Sequence, residues 1–168
     1  MGMNMKKIVI DGHNLIPKVG GISLSDPEDE NKLTAMVSEY CRLARVRAEL
    51  FFDNAPPGKR IPSRHGLVII HHVRQGTTAD DAIIQYLRKE GNNARNLLVI
   101  SSDRRVQTEA RGLRAEIMSS DQFSFQMRTV FSSPLATREV KETPPSEEEV
   151  EEMLKLMTQN RGKNPKSP

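Results

Sequence analysis

Five aspartates stand where carboxylates can act together. Asp11 ends the apolar run from Lys6 to Ile10, and Asp53 follows Phe51 and Phe52. Asp80 and Asp81 open a helical stretch after His72, and Asp103 follows Leu97 to Ile100 and two serines. Carboxylates gathered within a few ångströms repel one another and resist full ionisation. A divalent cation removes that penalty, and magnesium or manganese does so with oxygen ligands, a few carboxylates plus water. Such an ion polarises a phosphate oxygen, lowers the pKa of an attacking water and neutralises the leaving oxygen. The chemistry this pattern points to is metal-assisted cleavage of phosphodiesters. Taken singly, each residue has a plainer role: Asp11-Gly12 as a turn, Asp81 as a helix cap, Asp103 as an acid at a helix start. Their recurrence at successive strand ends is the signal.

Other polar residues cluster around these positions. Asn14, three residues after Asp11, can orient Asp11 or a bound water, or simply hold a turn. Ser101 and Ser102 can donate to a phosphate or cap the next helix. Arg104 and Arg105 open that helix against its dipole, which suggests a phosphate contact. Lys59, Arg60, Arg64 and Arg74 lie on loops around the third strand. Thr78, Ser102, His13, Arg74, Arg104 and Arg105 are the candidate substrate contacts. His71 and His72 end a strand facing opposite sides of the sheet and read as core or rim histidines rather than catalytic bases.

The elements that must position these residues follow from the apolar pattern. Lys6 to Ile10, Ala48 to Phe52, Gly66 to His72, Leu97 to Ile100 and Ala115 to Met118 read as strands. Asn31 to Arg47, Thr77 to Lys89, Asp103 to Arg111 and a stretch capped by Ser119 or Ser120 and running to about Val130 read as helices. Thr78 with Asp81 is a capping signature, and Gly91 and Gly112 are stop signals. Asn54 to Arg64, with Pro56-Pro57-Gly58 and Pro62, reads as a loop. Alternating helices and continuous apolar strands indicate a mostly parallel sheet of about five strands, covered on both faces. In such sheets ligands bind at the carboxyl ends of the strands, where all five aspartates fall.

The chain has 168 residues, enough for one domain with a substantial core. Residues 3–132 are read as that domain and 133–145, with Thr143-Pro144-Pro145, as a linker. Residues 146–159 are read as an amphipathic helix with Val150, Met153, Leu154 and Met157 on one face, and 160–168 as a disordered tail. The net charge of +3 and pI of about 9.1 do not by themselves identify a nucleic-acid binder. The stretch from Glu139 to Lys155 is acidic, however, so the domain before it is the more basic part. A single cysteine, Cys41, excludes an internal disulfide and reads as a buried thiol. No run approaches the roughly 18 apolar residues of a membrane span, and the N-terminus lacks a signal-peptide pattern. These features favour the cytoplasm. No Cys/His set has zinc spacing, and no GxGxxG or Walker motif is present.

Asp11-Gly12-His13-Asn14-Leu15-Ile16, Phe52-Asp53, Thr78-Ala79-Asp80-Asp81 and Ser101-Ser102-Asp103-Arg104 with Val106-Gln107, in this order, resemble the NYN ribonuclease family. The likeness is to its YacP-like branch, within the PIN-like superfamily, and covers about Lys6 to Val130. It implies a Rossmann-like, three-layer α/β/α sandwich and a metal-dependent endoribonuclease using Mg2+ or Mn2+. Some members act in association with ribosomes. It also implies that Asp11, Asp80 or Asp81, and Asp103 are catalytic metal-site carboxylates, that Asn14 supports them and that Asp53 lies nearby. Of the adjacent pair, Asp81 is slightly favoured as the inward residue. His13 stands where the family usually has tyrosine, and the segment after Ser132 is read as lying outside the family core. With aromatics at 4% and no tryptophan, base stacking is not expected to dominate binding.

Two other functions fit parts of the pattern. A non-catalytic RNA- or ribosome-binding module of the same fold would use the C-terminal helix as its contact, but has no need of the full carboxylate set. A phosphohydrolase with an aspartyl nucleophile often carries a second aspartate two residues on, whereas here Asn14 follows Asp11 by three, which argues against it.

Overall fold

In the computed structural model, residues 5–55, 58, 61–134, 147–148, 151–152 and 154–155 are described. The chain divides into two compact units, Met1–Ser133 and Pro134–Pro168. In the second, Glu147, Glu148, Glu151, Glu152, Leu154 and Lys155 are helical. Val150, Met153 and Met157, the rest of the expected apolar face, lie outside the described residues, as do most of the expected linker and the whole tail.

The first unit is a six-stranded sheet. Its strands are β1 (Lys7–Asp11), β2 (Arg47–Phe52), β3 (Ser63–His65), β4 (Val68–His72), β5 (Leu97–Ile100) and β6 (Glu116–Met118). They lie in the order β3-β4-β2-β1-β5-β6, all neighbours parallel except β3 against β4. The helices are α1 (Gly12–Leu15), α2 (Asp29–Ala44), α3 (Ala79–Glu90), α4 (Arg104–Gly112) and α5 (Ser120–Phe131).

Ile8 and Ile10 point to one face of the sheet, with Leu33, Val37 and Phe123 from α2 and α5. Val9 and Phe51 point to the other, with Ile83, Leu87, Val106 and Ala110 from α3 and α4. Burial on both faces is why β1, β2 and β5 read as unbroken apolar runs. The expected α/β sandwich is therefore present, with one strand more than the expected five. The extra strand, β3, falls partly inside the stretch read as a loop. Its three residues are all exposed and carry no apolar alternation, so only its pairing with β4 around Gly66 (φ 61°) makes it a strand. Short helical turns at Gly12–Leu15, Ile16–Lys18 and Gly91–Asn96 are also additional to the pattern read from the sequence.

Gly12 fixes how β1 leaves the sheet. A β-carbon there would lie 2.8 Å from the Phe51 carbonyl oxygen and 2.6 Å from Phe52 Cδ1. Only glycine lets α1 start directly after Asp11 while pressed against the end of β2.

Among the described residues, no helix is long and apolar enough to cross a membrane. Cys41 is buried, and desolvation pushes its thiol up to about 12, which removes thiolate reactivity at neutral pH.

Candidate active site

Parallel register brings the ends of β1, β2 and β5 to one edge, with Ile10 beside both Leu50 and Ile100. Asp11 is the last residue of β1, and its side chain points to the face covered by α3. Its carboxylate accepts the Asn14 backbone N–H at 3.2 Å, which caps α1. Only 5% of Asp11 is exposed. Burial, then a hydrogen bond shared with the Asp80 carboxyl, then the charge of Asp53 push its pKa up to about 7, against the Asn14 N–H, which pulls it down. Asp80 is raised as well, by burial and by the charges of Asp103 and Asp53, with Asp11 and Arg105 opposing. Asp11 is thus the carboxyl held furthest from its ordinary ionisation, as expected where two carboxyls are forced together in a buried place.

Each aspartate is placed by a different local device. Asp53 accepts the backbone N–H of Ala79, the first residue of α3, and so ties the end of β2 to the turn that carries Asp80. Asp103 caps α4 by accepting the Val106 N–H at 3.0 Å, and its own N–H donates to Ser101 Oγ at 3.1 Å. Gln107 donates to the Ser101 carbonyl at 2.9 Å from the next turn of α4.

The adjacent pair resolves the other way from the sequence expectation. Asp80, not Asp81, turns toward Asp11. Asp81 has its backbone N–H on the Thr78 hydroxyl at 3.1 Å, while its carboxylate accepts from Arg105 at 2.5 Å. Arg105, then Thr78, hold its pKa below the ordinary value. Neighbouring helix residues diverge by about 100°, so with Asp80 against Asp11 the Asp81 side chain faces outward to Arg105.

Asn14 works through its amide oxygen, which accepts the Ser102 N–H at 2.9 Å and the Ser120 hydroxyl at 2.6 Å. It stitches the ends of β1 and β5 to the start of α5. Ser102 Oγ accepts the Ser120 N–H at 3.1 Å. Arg74, Arg104 and Thr78 are exposed on the loops and helix starts of this edge. His13 turns to the α2 side. Its Nδ1 accepts the Asp53 N–H at 3.1 Å, and its Nε2 lies 3.4 Å from Glu30. Glu30 also meets His72 at 3.2 Å. Its carboxylate raises the pKa of His13 and is itself lowered in return. His71 faces the opposite side, bonded to the buried Glu49 at 2.6 Å and stacked on Phe51. Both strand-end histidines are therefore rim residues held by carboxylates.

Glu30, Ser120 and Gln107 are supporting residues that sequence reasoning did not single out as part of the site. Glu30 reads only as an acid in the first turn of a helix, Ser120 as a cap. The cap is in fact Ser119.

Among the described residues, no group of three or more His, Cys, Asp or Glu is drawn close enough to hold a metal ion. The pair in contact is Asp11 with Asp80, with Asp53 and Asp103 acting on it electrostatically. Magnesium needs only one or two carboxylates, water and substrate oxygens completing its shell. The all-oxygen donor set and the contact between two carboxyls fit such an ion.

The model of the YacP-like NYN domain matches residues 8–163. The match runs past Ser132 into the second unit, beyond the Lys6 to Val130 stretch on which the resemblance rests. Among solved structures, Rae1 (YacP) from Bacillus subtilis superposes with a TM-score of 0.68 at 23% identity, covering 95% of each chain. A mutant of the same Bacillus subtilis protein gives 0.64 at 20%, covering 84% of this chain and 86% of that one. No curated protein matches. At these identities the superpositions speak for the fold, and the family match carries the assignment: the chain belongs to the YacP-like NYN domain family, with a nuclease-type domain related to RNA processing.

Proposed function

We propose that the protein is a divalent-metal-dependent endoribonuclease that uses Mg2+ or Mn2+ at the aspartate edge. The observation supporting this most directly is the contact between Asp11 and Asp80, with Asp11 buried and raised to about 7. A fold that leaves two carboxyls in mutual repulsion at a strand edge gains by taking up a cation there.

In this reading Asp11 and Asp80 are the metal-holding carboxylates. Asp53 and Asp103 set the negative field and keep the ends of β2 and β5 in place. When bound, the divalent ion supplies Lewis acidity toward the scissile phosphate and toward an attacking water. Arg105, braced by Asp81, presents a guanidinium at the rim to a phosphate oxygen. Arg104, Arg74, Ser102 and Thr78 offer further donors along the strand path, and His13 shapes the floor through Asp53. Asp81 acts through Arg105 rather than as a ligand. The substrate is RNA, single-stranded or messenger, with a translating ribosome as one way of presenting it.

The test is cleavage of a labelled single-stranded RNA and of a translating-ribosome sample. Each is run in manganese, magnesium and chelator, for the wild type beside Asp11→Asn. Metal-dependent cutting lost in the variant supports the proposal. Cutting in the ribosome sample alone assigns presentation to the translation machinery. If neither sample is cut while both proteins bind RNA equally, the non-catalytic RNA- or ribosome-binding module of the same fold replaces it.

A further inference from the structure

The sheet is electrically polar from end to end. At the carboxyl edge, β1, β2 and β5 leave through Asp11, Asp53 and Asp103. At the opposite edge, four adjacent strands enter through cations: Arg45 and Arg47 before and at the start of β2, Lys6 before β1, Arg95 before β5, and Arg114 before β6. With neighbouring strands about 5 Å apart, this row spans roughly 14 Å.

Two concavities run along it. One, of about 510 Å³, is lined by Lys6, Arg47 and Arg95 among others, and the second, of about 400 Å³, by Arg95 and Arg114. Arg95 lines both, so the two concavities adjoin at that residue, while Arg45 lies on the same edge outside them. Two acids line the first concavity as well: Glu116, engaged by Lys6 at 2.6 Å, and Glu90, beside Tyr86. Among the described residues, Arg45, Arg47, Arg95 and Arg114 are exposed and in no ion pair.

Basic residues near helix C-termini have an ordinary explanation in the helix dipole. Two of these arginines go beyond it. Arg45 (φ 55°) and Arg114 (φ 61°) sit in the left-handed region just past α2 and α4, where glycine is the usual occupant. The third non-glycine residue with positive φ is Asn54, a residue type that tolerates it. Keeping arginine at two strained helix exits on the same edge sets charge above backbone ease, and such outliers are a reason to look for function.

From this polarity and these two strained exits, we infer that the basic edge is a docking surface for the phosphate backbone of RNA, separate from the aspartate edge. It holds the RNA while another part of the strand reaches the carboxylates. The occupant is RNA rather than an anionic membrane because Met5, Leu97 and Leu113, the apolar residues that line the two concavities, are not exposed enough to anchor in a bilayer. The exposed large apolar residues of this unit, Leu24, Ile61 and Phe125, lie on other elements. The inference rests on the RNA reading above only for its probe, since docking is measured in chelator, where no cutting occurs.

The experiment uses a fluorescently labelled RNA hairpin, titrated with the full chain over a range of salt, and phosphatidylserine vesicles as a second arm. Arg45→Gly/Arg114→Gly relieves both left-handed positions. It is expected to melt no lower than the wild type, yet to bind the hairpin roughly tenfold more weakly, with a log–log salt slope shallower by about two. Arg47→Glu/Arg95→Glu should weaken binding further, while manganese-dependent cutting of a short single-stranded oligonucleotide stays as in the wild type. Unchanged affinity and slope in both variants would overturn the inference, as would vesicle binding without hairpin binding. Because docking and cutting are read separately, a failure of the nuclease proposal leaves this result interpretable.

Discussion

Replacing Asp11 by asparagine should stabilise the metal-free protein above neutral pH while removing cleavage. Asp11 rises from an ordinary 3.8 to about 7 in the fold. That difference of about three pKa units corresponds to roughly 4 kcal/mol. The sign follows from proton counting. Between about pH 4 and 7 the folded state holds a proton that the unfolded chain has released, so stability falls as pH rises through this window and levels off above it. Asparagine keeps the shape of the protonated carboxyl and can still accept the Asn14 N–H, but has no charge to bury. For a chain of this size, about 4 kcal/mol corresponds to roughly 10 °C in Tm.

The assay is thermal unfolding in chelator from pH 5 to 9, wild type beside Asp11→Asn. The two Tm curves should lie closest at the acid end, where part of the difference is already present, and separate progressively to a plateau above pH 7, with the variant higher. Manganese should then raise the wild type and leave the variant nearly unmoved, because the ion binds the folded state through the lost carboxylate. Parallel curves across the whole range would refute the reasoning, since they would mean that Asp11 ionises in the fold as easily as in the unfolded chain.

Asp80→Asn should lower kcat by roughly 100-fold or more, whereas Asp81→Asn should act mainly on KM, by less than about tenfold, because it frees Arg105. Single-turnover cleavage of one RNA by both variants separates these outcomes, and equal losses would count against the assignment of Asp80. Gly12→Ala drives a methyl group into Phe52 and the Phe51 carbonyl and should cost about 1–3 kcal/mol, measured by urea unfolding, with a matching fall in activity. Asn14→Ala leaves the Ser102 N–H and the buried Ser120 hydroxyl without their shared acceptor, a loss of about 1–3 kcal/mol. Its kcat should fall with metal affinity nearly intact, because its link to Asp11 is through the backbone.

The sheet was legible because β1, β2 and β5 are buried on both faces, and that condition writes itself into sequence as continuous apolar runs ending at polar residues. β3 carries no such mark, for its existence depends on a partner strand and not on its own side chains. The edge holding the aspartates was legible for the same topological reason. The choice between Asp80 and Asp81 was not, because it depends on the angle at which α3 meets the sheet. A long-range bond, from the Ala79 N–H to Asp53 across 26 residues, ties α3 to the end of β2. Glu30, which meets His13 and His72 from another helix, is invisible to any local pattern.

The aspartate edge is held mainly by hydrogen bonds between segments far apart in the chain. Asn14 reaches 88 residues to Ser102 and 106 to Ser120, and Asp53 reaches α3. Each bond joins the end of one strand to the start of a helix that follows another. A carboxylate pair that repels itself would otherwise push those segments apart, most strongly at high pH and without metal. The two bonds that Asn14 accepts through its amide oxygen, from Ser102 and Ser120, involve no titratable group. They therefore hold the ends of β1 and β5 and the start of α5 together whatever the charge on the Asp11–Asp80 pair, which keeps one side of the carboxylate edge assembled in advance.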